Sequence, residues 1–181
     1  MKSLCCRLFV TFSSLLIAAS TLAQSSGEFA SETIDPGLVV SDAKKTVQFY
    51  TEAIGFKEIK GFSVPADWTK DVGLTDGKTL DIHVLVLGDG KNATKLKVMG
   101  LPSIHIKKGD TQFVTSHLGI RYLTVQVADM NAALARLKTA GVKPETKDGA
   151  IALPEGFPTG VYLTLVRDPD GNLIELVGPK K

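Results

Sequence analysis

Polar and apolar positions divide the chain into three kinds of segment. Leu8–Ala19 (LFVTFSSLLIAA) is uncharged and mostly apolar over about a dozen residues. Two short apolar runs rich in β-branched residues, Gly37–Val40 and Thr124–Val127, read as strands. Each leads into a segment whose apolar residues return at helical spacing: Val47, Tyr50 and Ile54 in the first, and Met130, Ala133, Leu134, Leu137 and Ala140 in the second. An Asp opens each predicted helix, Asp42 and Asp129, where its carboxylate can accept orphan backbone N–H groups. A glycine closes each, Gly55 and Gly141, suited to a left-handed C-cap. Three strand-like runs follow each helix: Lys57–Val64, Thr79–Leu87 and Thr94–Met99, then Lys143–Leu153, Val161–Arg167 and Leu173–Val177. Asp168-Pro-Asp-Gly-Asn172 is a turn signal joining the last pair.

The two Asp N-caps stand 87 residues apart, so the pattern is an internal repeat of two βαβββ units. The expected fold is α+β, with two modules whose small sheets pair into a curved, cup-like sheet, a natural small-molecule cavity. The domain runs from 34 to 181, with module one at 34–102, a connector at 103–118 and module two at 119–179. Alternation at Ser103–Lys107 suggests one extra strand in the connector. The segment 65–78, which contains Trp68, and the segment 153–160, which contains Phe157, read as loops at the cup's rim.

The N-terminus changes the picture of the mature protein. Lys2 and Arg7 precede the apolar run, and Thr21-Leu22-Ala23 places small residues where a signal peptidase cuts. Residues 1–23 therefore read as a signal peptide and 24–33 as a flexible mature N-terminus; the run is too short for a spanning helix, which needs about 20 residues. Export to the periplasm or medium follows. Both cysteines, Cys5 and Cys6, would leave with the signal, so the mature chain would rest on its core without disulfides.

Composition then narrows the partners. The chain has 181 residues, 44% hydrophobic and 22% charged, with 21 basic and 19 acidic side chains. Removing Lys2 and Arg7 leaves 19 of each sign, which argues against nucleic acid and against stable membrane association through a basic surface. A small-molecule ligand is the expected partner, and the protein would be a monomer or homodimer.

Taken together, GLVVSDAKKTVQFYTEAIGF, YLTVQVADMNAALARLKTAGV and the ending VRDPDGNLIELVGP resemble the vicinal oxygen chelate superfamily of glyoxalases, bleomycin resistance proteins and extradiol dioxygenases. The resemblance covers about Ile34 to Pro179, and DPDGN-x-x-EL is its most specific part. It implies paired βαβββ modules forming a cup. It also implies a divalent metal held by a His on the first strand of each module and a carboxylate on the last. The first-strand position lies seven residues before the helix-opening Asp, which here gives Asp35 and Tyr122. The last-strand positions are Lys97 and Glu175. No imidazole or thiolate stands at any of the four, and an ammonium would repel a divalent cation, so no metal and no cofactor is expected. A hard cation on Asp35 and Glu175 is the remaining metal alternative.

Two functions accept these residues. One is a binding or sequestering protein for a small carbonyl or anionic ligand, held by Asp35, Lys97, Tyr122 and Glu175 with Trp68 and Phe157 as lids. The other is a glyoxalase-like lyase or isomerase in which Glu175 moves a proton and Lys97 or Tyr122 stabilises the enolate. Among the histidines, His83 sits opposite Ile82 and Val84 and either lines the cup or meets solvent, while His105 and His117 read as surface residues. Arg121 is expected to point out of the cup.

Overall fold

A computed structural model describes residues 31, 33–101 and 104–181. The expected signal peptide and nearly all of the expected mature N-terminus lie outside the described residues.

Module one runs β1 (Gly37–Val40), α1 (Ala43–Gln48, continuing as a π-helical segment Phe49–Ile54), β2 (Lys57–Val64), α2 (Ala66–Asp71), β3 (Leu80–Val86) and β4 (Lys95–Gly100). Module two runs β5 (Tyr122–Gln126), α3 (Met130–Thr139), β6 (Ile151–Ala152), β7 (Val161–Arg167) and β8 (Leu173–Pro179). Each module forms one four-stranded sheet with its first strand parallel to its last, in the order β1-β4-β3-β2 and β5-β8-β7-β6. The βαβββ repeat of the sequence is therefore the repeat of the fold.

Both helices start at the expected Asp. Asp42 accepts from the Lys45 backbone N–H at 3.1 Å, the main reason its carboxyl is held below its ordinary pKa, and Asp129 accepts from Asn131 N–H at 2.9 Å. Gly55 takes φ +99° after the π-helical segment, a conformation that a side chain would strain. In that segment the Tyr50 carbonyl accepts from both Gly55 and Phe56. Arg136 of α3 crosses to it and donates to the Ala53 and Ile54 carbonyls at 3.0 and 2.9 Å, satisfying acceptors that the helix end leaves open.

One apolar core serves both modules. It joins Val40, Leu96 and Val98 of the first sheet, Tyr50, Ile54, Met130 and Leu137 of the helices, and Val125, Ile174 and Leu176 of the second sheet. Because strand side chains alternate, the neighbours of these residues face the other side of each sheet. Lys97 and Met99 alternate with Val98 on β4, Tyr122 and Thr124 with Leu123 on β5, and Glu175 with Ile174 and Leu176 on β8. These second faces are the open faces of the modules. In module one, Leu80, Ile82 and Val84 fill much of that face, with Val64, Met99 and Leu101 packed on them.

Three local readings are corrected. The connector forms no strand over residues 104–107; instead it carries one 3-10 turn, Val114–Ser116. The expected loop 65–78 contains helix α2, capped by the extended Pro65 with Asp67 in its first turn. Lys143–Leu153 pairs only at Ile151–Ala152, because Pro144 and the left-handed pair Asp148 (φ +57°) and Gly149 (φ +81°) turn the chain. Of the two placements open to His83, the structure gives the solvent-facing one: it shares the Val98 face on the inner strand β3, with its side chain 43% exposed and Nδ1 2.8 Å from Glu58 Oε1.

Two buried hydroxyls, Thr46 and Thr164, find no hydrogen-bond partner among the described residues. Thr164 stands on β7 facing the core, so Thr164→Val removes an unpaired polar atom and keeps the shape. The variant is expected to gain about 1 kcal/mol in urea unfolding.

Candidate functional site

The structure sorts the sequence-derived residues into two pairs, one on each open face. In module one, Asp35 lies just before β1 and Lys97 on β4. Parallel pairing sets Gly37 opposite Lys97, and the Lys97 backbone N–H donates to the Pro36 carbonyl at 2.9 Å. Lys97 Nζ stands 3.7 Å from Asp35 Oδ2, with the side chains 35% and 33% exposed. Asp35 Oδ1 also accepts from the Lys95 backbone N–H at 3.2 Å. The ammonium is thus half-sheltered, has one carboxylate at ion-pair distance, and keeps donors to spare.

In module two, register puts Thr124 and Leu165 on either side of Glu175. Thr124 Oγ1 donates to Glu175 Oε2 at 2.7 Å, which fixes the carboxylate and leaves Oε1 free to accept. Tyr122 and Arg167 flank Leu173 in the neighbouring row of the same face. The open face of module two therefore carries a phenol, a guanidinium and a carboxylate among half-buried Leu163, Leu165 and Val177.

Among the described residues, no hydrogen bond or ion pair links the Asp35–Lys97 pair to Tyr122 or Glu175. Trp68, on α2, and Phe157, in the 153–160 segment, are 54% and 59% exposed. The described residues include no group of three or more His, Cys, Asp or Glu placed to share a metal ion.

Sequence reasoning missed Arg167. The available signal was its position two residues past Leu165 on a strand of period two, one face with Glu175's partner. Arg121, expected to point out of the cup, shares a task with Arg167. Arg167 donates to the Thr111 and Gln112 carbonyls at 2.6 and 2.8 Å, and Arg121 to the Asp110, Phe113 and Val114 carbonyls at 2.7, 3.3 and 3.3 Å. Arg167 also reaches the Gly171 carbonyl at 3.1 Å and Glu145 Oε1 at 3.4 Å.

Asp168 opens the DPDGN turn and is 5% exposed. Its Oδ1 accepts from the backbone N–H groups of Asp170 and Asn172, and its Oδ2 from Asn172 Nδ2 and, at 3.4 Å, the Tyr50 hydroxyl. Burial pushes the Asp168 carboxyl above its ordinary pKa. Burial and this carboxylate push the Tyr50 phenol up as well. All four acceptor positions of Asp168 serve the turn and the helix behind it, so its role is structural.

The sequence model of the Glyoxalase/Bleomycin resistance protein/Dioxygenase superfamily matches residues 32–176. No curated protein sequence matches the chain. Among solved structures, a glyoxalase family protein from Bacillus cereus is similar with a TM-score of 0.66 and 22% identity, over 88% of this chain and 100% of the other. A glyoxalase family protein from Enterococcus faecalis gives a TM-score of 0.56 and 20% identity, over 79% and 94% of the two chains. A glyoxylase/bleomycin resistance protein/dioxygenase domain from a Frankia species gives 0.56 and 18%, over 81% and 90%. At such identities the likeness speaks for the fold alone.

Proposed function

The chain belongs to the Glyoxalase/Bleomycin resistance protein/Dioxygenase superfamily, and from that premise we propose that it is an exported protein that holds a small carbonyl or anionic ligand on its open faces without a divalent metal. The observation that carries this reading is the Lys97–Asp35 pair. The resemblance puts a metal-binding carboxylate at the position of Lys97, and Lys97 Nζ already stands 3.7 Å from the one carboxylate of its module at a matched position. A divalent ion there would meet an ammonium in place of a ligand, and the other matched positions offer a phenol and one remote carboxylate. The donor set does not fit zinc or its neighbours.

Lys97 supplies the positive charge that a metal would otherwise place beside a carbonyl or carboxylate oxygen. The two residue pairs meet across one ligand when the open faces of the modules are set opposite each other, within a monomer or across a homodimer. Trp68 and Phe157 would close over it. Among the described residues no helix is long and apolar enough to cross a membrane.

The test is calorimetric titration with the hemithioacetal of methylglyoxal and a thiol. Lys97→Ala is expected to weaken binding about 10- to 100-fold, the loss of one charge-assisted hydrogen bond, while circular dichroism stays unchanged. Equal affinity in the two proteins contradicts the reading.

One observation favours a second reading, a glyoxalase-like lyase or isomerase: Thr124 orients Glu175 and leaves one carboxylate oxygen free on the open face. There Glu175 would take a proton from the carbon beside the carbonyl, and Lys97 or Tyr122 would stabilise the enolate. Glu175→Gln separates the two. A binder converts none of the adduct in either protein and holds it more weakly in the variant; a lyase that converts the adduct loses about 100-fold or more in kcat.

A further inference from the structure

The connector is held in an unusual way. Each of the five consecutive carbonyls from Asp110 to Val114 accepts from the guanidinium of Arg167 or Arg121. The apolar side chains of the same segment contribute little burial, since Phe113 is 63% and Val114 46% exposed. Just beyond, Leu118 and Ile120 are 96% and 91% exposed on either side of Gly119, whose φ of +116° suits a pivot. On the near side Gly109 follows the exposed Lys107 and Lys108. The strap is therefore fixed by cation–carbonyl hydrogen bonds rather than by a core. It borders an open groove of about 920 Å³ together with Glu145, Leu165, Arg167 and Leu173, on the face that carries Glu175.

Apart from Glu145 Oε1, a single half-exposed contact 3.4 Å from Arg167 Nε, the acceptors are neutral carbonyls, and a carboxylate or phosphate binds a guanidinium about twice as strongly and in bidentate geometry. We infer that Arg167 and Arg121 form an oxyanion-binding pair at the edge of the module-two face, and that residues 110–114 are its built-in occupant, displaced when a carboxylate or phosphate group arrives. This deepens the binding reading above and rests on it for the location of the ligand. It makes Arg167 a binding residue and the strap a self-ligand that keeps the face shut until an anion competes. Thr111 seats the strap on the DPDGN turn: a Cβ added to Gly171 would lie 2.6 Å from the Thr111 hydroxyl.

Trypsin reads the device directly, through the initial rate of cleavage after Lys107 and Lys108 measured by mass spectrometry on the intact protein. Arg167→Ala and Arg121→Ala are each expected to raise that rate about fivefold or more, as a segment that opens locally becomes a substrate. In the wild-type protein, inorganic phosphate or acetate is expected to raise it relative to chloride at equal ionic strength, and Arg167→Ala should abolish that response. Acceleration by phosphate alone identifies a phosphate ester as the ligand class, by acetate alone a carboxylate, and by both a general oxyanion site. The inference is overturned by a wild-type rate that phosphate and acetate leave at the chloride value. It is overturned equally by a rate that stays at the wild-type value in Arg121→Ala, which remains informative even where Arg167→Ala does not fold. An unchanged affinity in Lys97→Ala overturns the binding reading instead and leaves the strap measurement standing.

Discussion

Asp168→Ala is expected to cost about 2–4 kcal/mol of stability, read as a lowered urea midpoint with an unchanged slope. The carboxylate is 5% exposed and accepts from four donors. Alanine leaves two backbone N–H groups, the Asn172 amide and the buried Tyr50 hydroxyl without it, and each buried unpaired donor carries its own desolvation cost. Asp168→Asn is expected to recover part of the loss, because one oxygen still serves the turn and the Tyr50 oxygen can accept from the new amide. The pH dependence has a defined sign. Burial raises the folded-state pKa of Asp168 above the unfolded 3.8, so the folded protein binds the proton more tightly. Its contribution to stability is therefore greatest below the unfolded value and falls as pH rises through the folded one. Asp168→Asn should lack that slope in unfolding curves collected across acidic pH. A slope of opposite sign, rising with pH, would show that the turn's hydrogen bonds outweigh burial.

Gly178→Val is expected to be at least as damaging, about 3 kcal/mol or more, with the expressed protein largely insoluble. Gly178 is buried on β8 opposite Tyr162, and a Cβ there would intrude on the Val127 carbonyl oxygen. Val127 follows β5 and donates its N–H to the Val177 carbonyl at 2.8 Å, so the intrusion falls on the parallel seam between β5 and β8. That seam sets Thr124 opposite Glu175, and the hydrogen bond between them depends on it. Gly178→Ala brings the same Cβ against the Val127 carbonyl, so it too is expected to lose stability, by less than valine, and to bind the hemithioacetal more weakly. Thermal unfolding followed by calorimetric titration separates the two effects.

Much of this architecture is written locally in the chain. Asp42 and Asp129 announce their helices because an N-cap carboxylate acts within three residues of itself. The strand period alone places Lys97 and Glu175 away from the core, because Val98, Ile174 and Leu176 must face it. Helix α2 was hidden by the glycine- and threonine-rich stretch after it, although Pro65 followed by Asp67 is a start signal in its own right. The Lys143–Leu153 run misled because β-branched content says nothing about Asp148 in a left-handed conformation. The site was less legible than the fold. Thr124 and Glu175 are 51 residues apart, and their pairing depends on a register that no local pattern encodes. The arginines' partners are backbone carbonyls, which every residue possesses, so side-chain identity in 110–114 carries no trace of the strap.

The central claim, that Lys97 supplies the charge at the open faces where the family resemblance implies a metal, is tested most directly by elemental analysis of the purified protein, with the hemithioacetal titrated into the same sample. The account predicts far less than one equivalent of zinc, nickel, iron or manganese, with binding that survives chelation. One equivalent of such a metal, with binding or turnover that chelation abolishes and the metal restores, would contradict it.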